Sequence, residues 1–86
     1  MHHVYVLQSQ KDLHLYVGYS TDIKTRIKAH NAGDVTSTKS RKPLSLIYYE
    51  TYTNKGDALR REKYLKTTAG KKAIKYMLRC TLTENT

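Results

Sequence analysis

Apolar and polar positions alternate most clearly in two early segments, HVYVLQ (3–8) and LHLYVGY (13–19), both β-branched and aromatic and separated by the polar run SQKD. The spacing predicts a β-hairpin. A register opposing Tyr5 to Tyr16 sets Val4 against Val17 and Val6 against Leu15, with those four apolar residues on one face and both tyrosines on the other. Ser20 or Thr21 can cap a helix beginning near Asp22, whose carboxylate suits the positive helix end, and Asn31-Ala-Gly33 closes it. DVTSTKSRKP reads as a basic loop and LSLIYYETY (44–52) as a third strand. Asn54 with Asp57 resembles a capping box that opens a second helix through Lys66. Thr67 or Thr68 caps a third helix carrying Ile74, Met77 and Leu78 at helical spacing. The order β-β-α-β-α-α predicts a small α/β (α+β) domain over residues 1–80, a three-stranded antiparallel sheet flanked by helices. TLTENT (81–86) is expected to be a disordered tail.

Two helices break their own apolar stripes. With Ile23 as the origin and about 100° per residue, Ile27 falls near 40°, Arg26 near 300° and His30 near 340°, so a cation and an imidazole share the arc expected to face the sheet. Read alone, Arg26 can be an edge residue that carries its charge out to water and His30 a helix-end residue near the negative dipole end. In the second helix Glu62 falls about 40° from Ala58, between Leu59 and Leu65, which aims a carboxylate inward. Its bland reading is an ion pair with Arg61, Lys66 or Arg26, and the (i, i+4) spacing to Lys66 suits one.

Charge then narrows the partner class. The 86 residues carry 16 Lys and Arg against 7 Asp and Glu, a formal charge of +9, so the surface attracts polyanions. Nucleic acid is the leading partner. No apolar run approaches the roughly 20 residues of a membrane span. The first residues show no charged-then-apolar leader pattern, and Cys80, the single cysteine, cannot form an internal disulfide. A cytoplasmic protein without a membrane partner is expected.

Tyr5, Tyr16, Arg26, His30 and Glu62 together suit phosphodiester hydrolysis. That chemistry needs a divalent cation on oxygen ligands, a cationic group on the scissile phosphate and a base for the attacking water. Glu62 would hold the metal, Arg26 would grip the phosphate, and either Tyr5 or Tyr16 would be the base. A single carboxylate favours one Mg²⁺, or Mn²⁺, with several retained waters.

The same residues form a recognisable pattern. Val4-Tyr5-Val6 and Tyr16-Val17-Gly18 resemble the two motifs of the GIY-YIG nuclease superfamily, specifically its small single-domain members related to the excision-repair nuclease module. Arg26 follows Tyr16 at the family's arginine spacing, His30 comes one turn later, and Glu62 in ALRREKYLK matches the family's metal-binding glutamate. The match covers about residues 3 to 66. It implies a Mg²⁺-dependent nuclease fold in which Tyr5, Tyr16, Arg26, His30 and Glu62 line the active site and Gly18 is a structural motif residue.

The expected activity is therefore a metal-dependent endonuclease acting on DNA, with RNA as another substrate, directed by nucleic-acid shape rather than sequence and serving repair or recombination. A partner protein would supply further selectivity. Phosphate contacts are expected from Lys24, Lys28, Lys39, Arg41 and Lys42, with Lys71 and Lys72 in support. Rival readings are a catalytically inactive nucleic-acid-binding module of the same fold and a small basic docking protein.

Overall fold

The computed structural model describes residues 1–84. Its elements are β1 (His2–Ser9), β2 (Leu15–Ser20), α1 (Ile23–Asn31), β3 (Leu44–Tyr52), α2 (Lys55–Leu65), α3 (Thr68–Met77) and α4 (Arg79–Glu84). The three strands form one antiparallel sheet in the order β2-β1-β3. This is the three-stranded α+β sheet that the patterning predicts.

Both faces of the sheet are covered, which explains why β1, the central strand, is buried from Val4 to Ser9. On one face Val4 and Val6 pack with Ala58, Leu65, Ile74 and Leu78 from the helices that follow β3, and Leu15, Val17 and Ile47 border them. On the other, Tyr5, Leu7 and Leu44 meet Ile23 and Ile27 of α1, with Tyr16 beside them. Period-two alternation therefore separates Val4, Val6 and Val17 from Tyr5 and Tyr16.

The hairpin register differs from the expected one. Tyr5 opposes Gly18 and Leu7 opposes Tyr16, while Val6 opposes Val17 and Gln8 opposes Leu15. Leu13 is the cause: it sits in the left-handed region, at φ 63°, so the connection runs from Gln10 to His14 rather than through SQKD. Sliding the turn by one residue moves the pairing by two, which preserves the faces while replacing every partner. Ser9 fixes this turn, because its hydroxyl accepts from the Lys11 and Asp12 amides at 3.1 and 3.3 Å and donates to the Arg41 carbonyl at 2.6 Å.

Caps fall where short polar side chains allow them. Asp22 itself, rather than Ser20 or Thr21, caps α1 by accepting from the Thr25 amide at 3.2 Å, and Ser20 in turn accepts from the Asp22 amide at 2.9 Å. Asn54 caps α2 and Thr67 caps α3. The expected disorder after residue 80 is corrected by α4, whose Leu82 packs against the core. Asn85 and Thr86, the end of that expected tail, lie outside the described residues. Among the described residues no helix is long and apolar enough to cross a membrane.

Candidate active site

A cavity of about 640 Å³ follows the free edge of β2, lined by the consecutive residues Leu13 to Val17. Tyr5, Tyr16, His30 and Thr38 enter it from the α1 side, and Lys66, Lys71, Ile74 and Lys75 from the side of α2 and α3. Among the described residues no carboxylate lines it.

Tyr5 reaches this cavity because it opposes a glycine. Its ring lies across Gly18, where a Cβ would collide with the Tyr5 hydroxyl and ring carbons. The phenol thereby comes to 3.0 Å from His30 Nε2, with the two rings edge to face at 5.9 Å. His30 is delivered by the last turn of α1, and Asn31 anchors that turn. Its amide accepts from the Leu44 N–H at 2.7 Å and donates to the Leu44 carbonyl at 3.1 Å, tying the helix end to the start of β3.

His30 is buried, 5 % exposed, and its other ring nitrogen lies 2.8 Å from Thr38 Oγ1. Thr38, itself buried, donates to the Val35 carbonyl at 3.4 Å. His30 thus bridges the Tyr5 and Thr38 hydroxyls through its two ring nitrogens, and in the neutral ring one of these donates while the other accepts. Burial first, and then the nearby Arg26 charge, hold the imidazole below the ordinary histidine value of 6.5, so it is neutral at neutral pH. The result is a hydrogen-bonded chain that links Tyr5, His30, Thr38 and the Val35 carbonyl.

Five residues were expected to meet, and three share the cavity: Tyr5, Tyr16 and His30. Arg26 is not inward as its wheel position suggested. It is exposed, because at about 60° from the stripe its long side chain reaches water. Glu62 is half-buried and pairs with Lys66 at 3.2 Å, as its (i, i+4) spacing allowed; it stands outside the cavity lining while Lys66 is part of it.

The basic residues divide differently from expectation. Lys24, Lys28, Lys39, Arg41 and Lys42 are exposed, none lines the cavity, and Arg41 pairs with Asp12 at 3.1 Å. Thr38 escaped the sequence reading because a loop has no period to mark an inward position. Glu50 escaped it as well. Its carboxylate accepts from the Tyr48 and Tyr52 hydroxyls at 2.6 and 2.7 Å and from Arg61 at 2.9 and 3.0 Å. The i, i+2, i+4 spacing along β3 was the available signal. This cluster joins β3 to α2.

A scan of family models matches residues 1–77 to the GIY-YIG catalytic domain. The chain belongs to the GIY-YIG family. A UPF0213 protein of Staphylococcus haemolyticus is 41% identical over 75 residues, covering 86% of this chain and 90% of that one. One from Staphylococcus epidermidis gives the same figures, 41% over 75 residues. One from Halobacterium salinarum is 42% identical over 67 residues, covering 77% of this chain and 86% of its own. No solved structure matches significantly. The GIY-YIG domain is a nuclease fold, and the family match spans all five candidate residues, Tyr5, Tyr16, Arg26, His30 and Glu62.

Among the described residues no three His, Cys, Asp or Glu side chains gather to hold an ion. Glu62 alone fits the mode in which Mg²⁺ keeps its waters and uses one carboxylate together with substrate phosphate, provided that the Lys66 ammonium releases it.

Proposed function

We propose that this GIY-YIG protein is a metal-dependent endonuclease that hydrolyses phosphodiester bonds of DNA. The hydrogen bond of 3.0 Å between the Tyr5 phenol and a neutral, buried His30, inside a cavity bounded by three lysines, supports this reading most directly. A Mg²⁺ or Mn²⁺ ion held by Glu62 would lend positive charge to the phosphate oxygens.

The chain's own residues supply the rest. As water oxygen bonds to phosphorus, the water proton passes to Tyr5 Oη and the phenol proton to His30 Nε2, while the leaving oxygen departs with the bonding pair and takes a proton from solvent. Thr38 positions the imidazole through Nδ1, and with the ring proton on that nitrogen Nε2 is the acceptor. Protonating a buried histidine is costly, and the anionic phosphate offsets that cost as it arrives. Arg26, exposed one turn before His30 and without a carboxylate partner among the described residues, is available to grip it. Tyr16 orients water or phosphate. The phosphate contacts offered by a cavity that Lys66, Lys71 and Lys75 line carry charge information but no sequence information, which supports shape-directed cutting. The likeness of the motifs to the excision-repair module supports a role in repair or recombination.

The test is cleavage of flapped and branched DNA in Mg²⁺, in EDTA, and with Glu62→Gln. The reading requires cutting that is lost in both EDTA and the variant. Binding without cutting would instead identify the inactive module, and neither activity the docking protein.

A further inference from the structure

The cavity has two chemically distinct walls. The α1 side carries the phenol and imidazole of the relay, while the opposite side carries Lys66, Lys71 and Lys75 around the buried Ile74. Lys71 and Lys75 stand one turn apart on α3, about 6 Å along its axis, and so present two ammonium groups on one face. α3 has no acidic residue over its length, and among the described residues neither lysine has a carboxylate partner. A cleft with one sign of charge and partly apolar walls concentrates its field on an anionic ligand. Between the two walls runs the edge of β2, where Leu15, Val17 and Tyr16 offer apolar and aromatic surface.

We propose that α3 is the strand-holding element of this protein: one nucleic-acid backbone lies along the β2 edge, with consecutive phosphates on Lys71 and Lys75 and the next directed by Lys66 toward Tyr5. The proposal rests on the nuclease reading and adds where the strand runs. It moves the principal grip from α1 and the 34–43 connection, where the basic residues lie outside the cavity, to the α2–α3 flank. Lys66 has a particular place in this path, because its ammonium touches Glu62 and also lines the cavity. An arriving phosphate and an arriving metal ion would each draw one partner out of that ion pair.

The test measures binding of a labelled oligonucleotide in EDTA against salt, which separates binding from turnover. Lys71→Ala with Lys75→Ala is compared with Lys24→Ala with Lys28→Ala, two double variants that remove equal charge from exposed positions. Each phosphate contact contributes about 0.7 to 0.9 to the slope of log K against log salt, or about five- to eightfold in affinity at 0.1 M salt. The α3 pair should lower the slope by about 1.5 and weaken binding by about 30-fold, with Lys71→Arg and Lys75→Arg restoring both. The α1 pair should leave the slope nearly unchanged. Equal losses in both pairs, or a loss confined to α1, would overturn the placement while leaving the nuclease reading intact. Failure of the unaltered protein to bind any oligonucleotide would overturn the nuclease reading itself.

Discussion

At the scale of single residues, the site depends on a missing side chain. Gly18 leaves room for the Tyr5 ring, and any Cβ there displaces the phenol from His30. Gly18→Ala should therefore cost about 1 to 3 kcal/mol in urea unfolding, as overpacking does, and reduce cleavage more than its stability loss accounts for. His30 gives a second prediction, in pH. Its folded pKa lies below 6.5, so unfolding takes up a proton as pH falls, and the native state loses stability from about pH 6.5 downward until the folded value is passed. Urea midpoints measured between pH 8 and 5 should fall with acid, and His30→Gln should flatten that part of the curve. The sequence made His30 visible as an intruder on an apolar arc, and the structure keeps it there. Arg26 looked identical on the wheel and went to solvent, because a wheel gives the direction of Cβ and not the reach of a long side chain.

At the scale of elements, the faces of the hairpin were legible and its partners were not. Alternation fixes which side a residue faces, but Leu13 looked like strand and lies in the connection, at φ 63°. Pairing depends on that one backbone choice, which no side-chain pattern records. The attachment of α2 to β3 was equally hidden, since Glu50 had no apolar stripe to violate. Burial works to raise the Glu50 carboxyl, yet hydrogen bonds from Arg61, Tyr48 and Tyr52 outweigh it and hold it below its ordinary value. Burial and the same carboxylate push the Tyr48 phenol up to about 12. Arg61→Met leaves this half-buried carboxylate with two phenols only. It should destabilise the fold by about 2 kcal/mol at pH 7, read by urea denaturation. Because a depressed carboxyl stabilises above its unfolded value and loses that contribution as pH falls through the folded one, the penalty should shrink below about pH 4.5. Leu82 gives α4 its hold on the core, and Leu82→Ala should lower the melting temperature although it lies in a segment whose composition suggests disorder.

For the whole molecule, the charge of +9 is spread over many exposed lysines, and only the fold tells which of them face the relay. Composition indicated a polyanion partner but not a side of the molecule. The central claim is narrower: Tyr5, held by His30, takes the water proton. It is tested most directly by single-turnover cleavage of flapped DNA in Mg²⁺ by Tyr5→Phe and Tyr16→Phe, with oligonucleotide affinity and melting temperature measured alongside. Tyr5→Phe should bind and fold as the unaltered protein does, yet cut at least about 100-fold more slowly. A Tyr5→Phe protein that cuts at the normal rate, with the loss appearing in Tyr16→Phe instead, would contradict it.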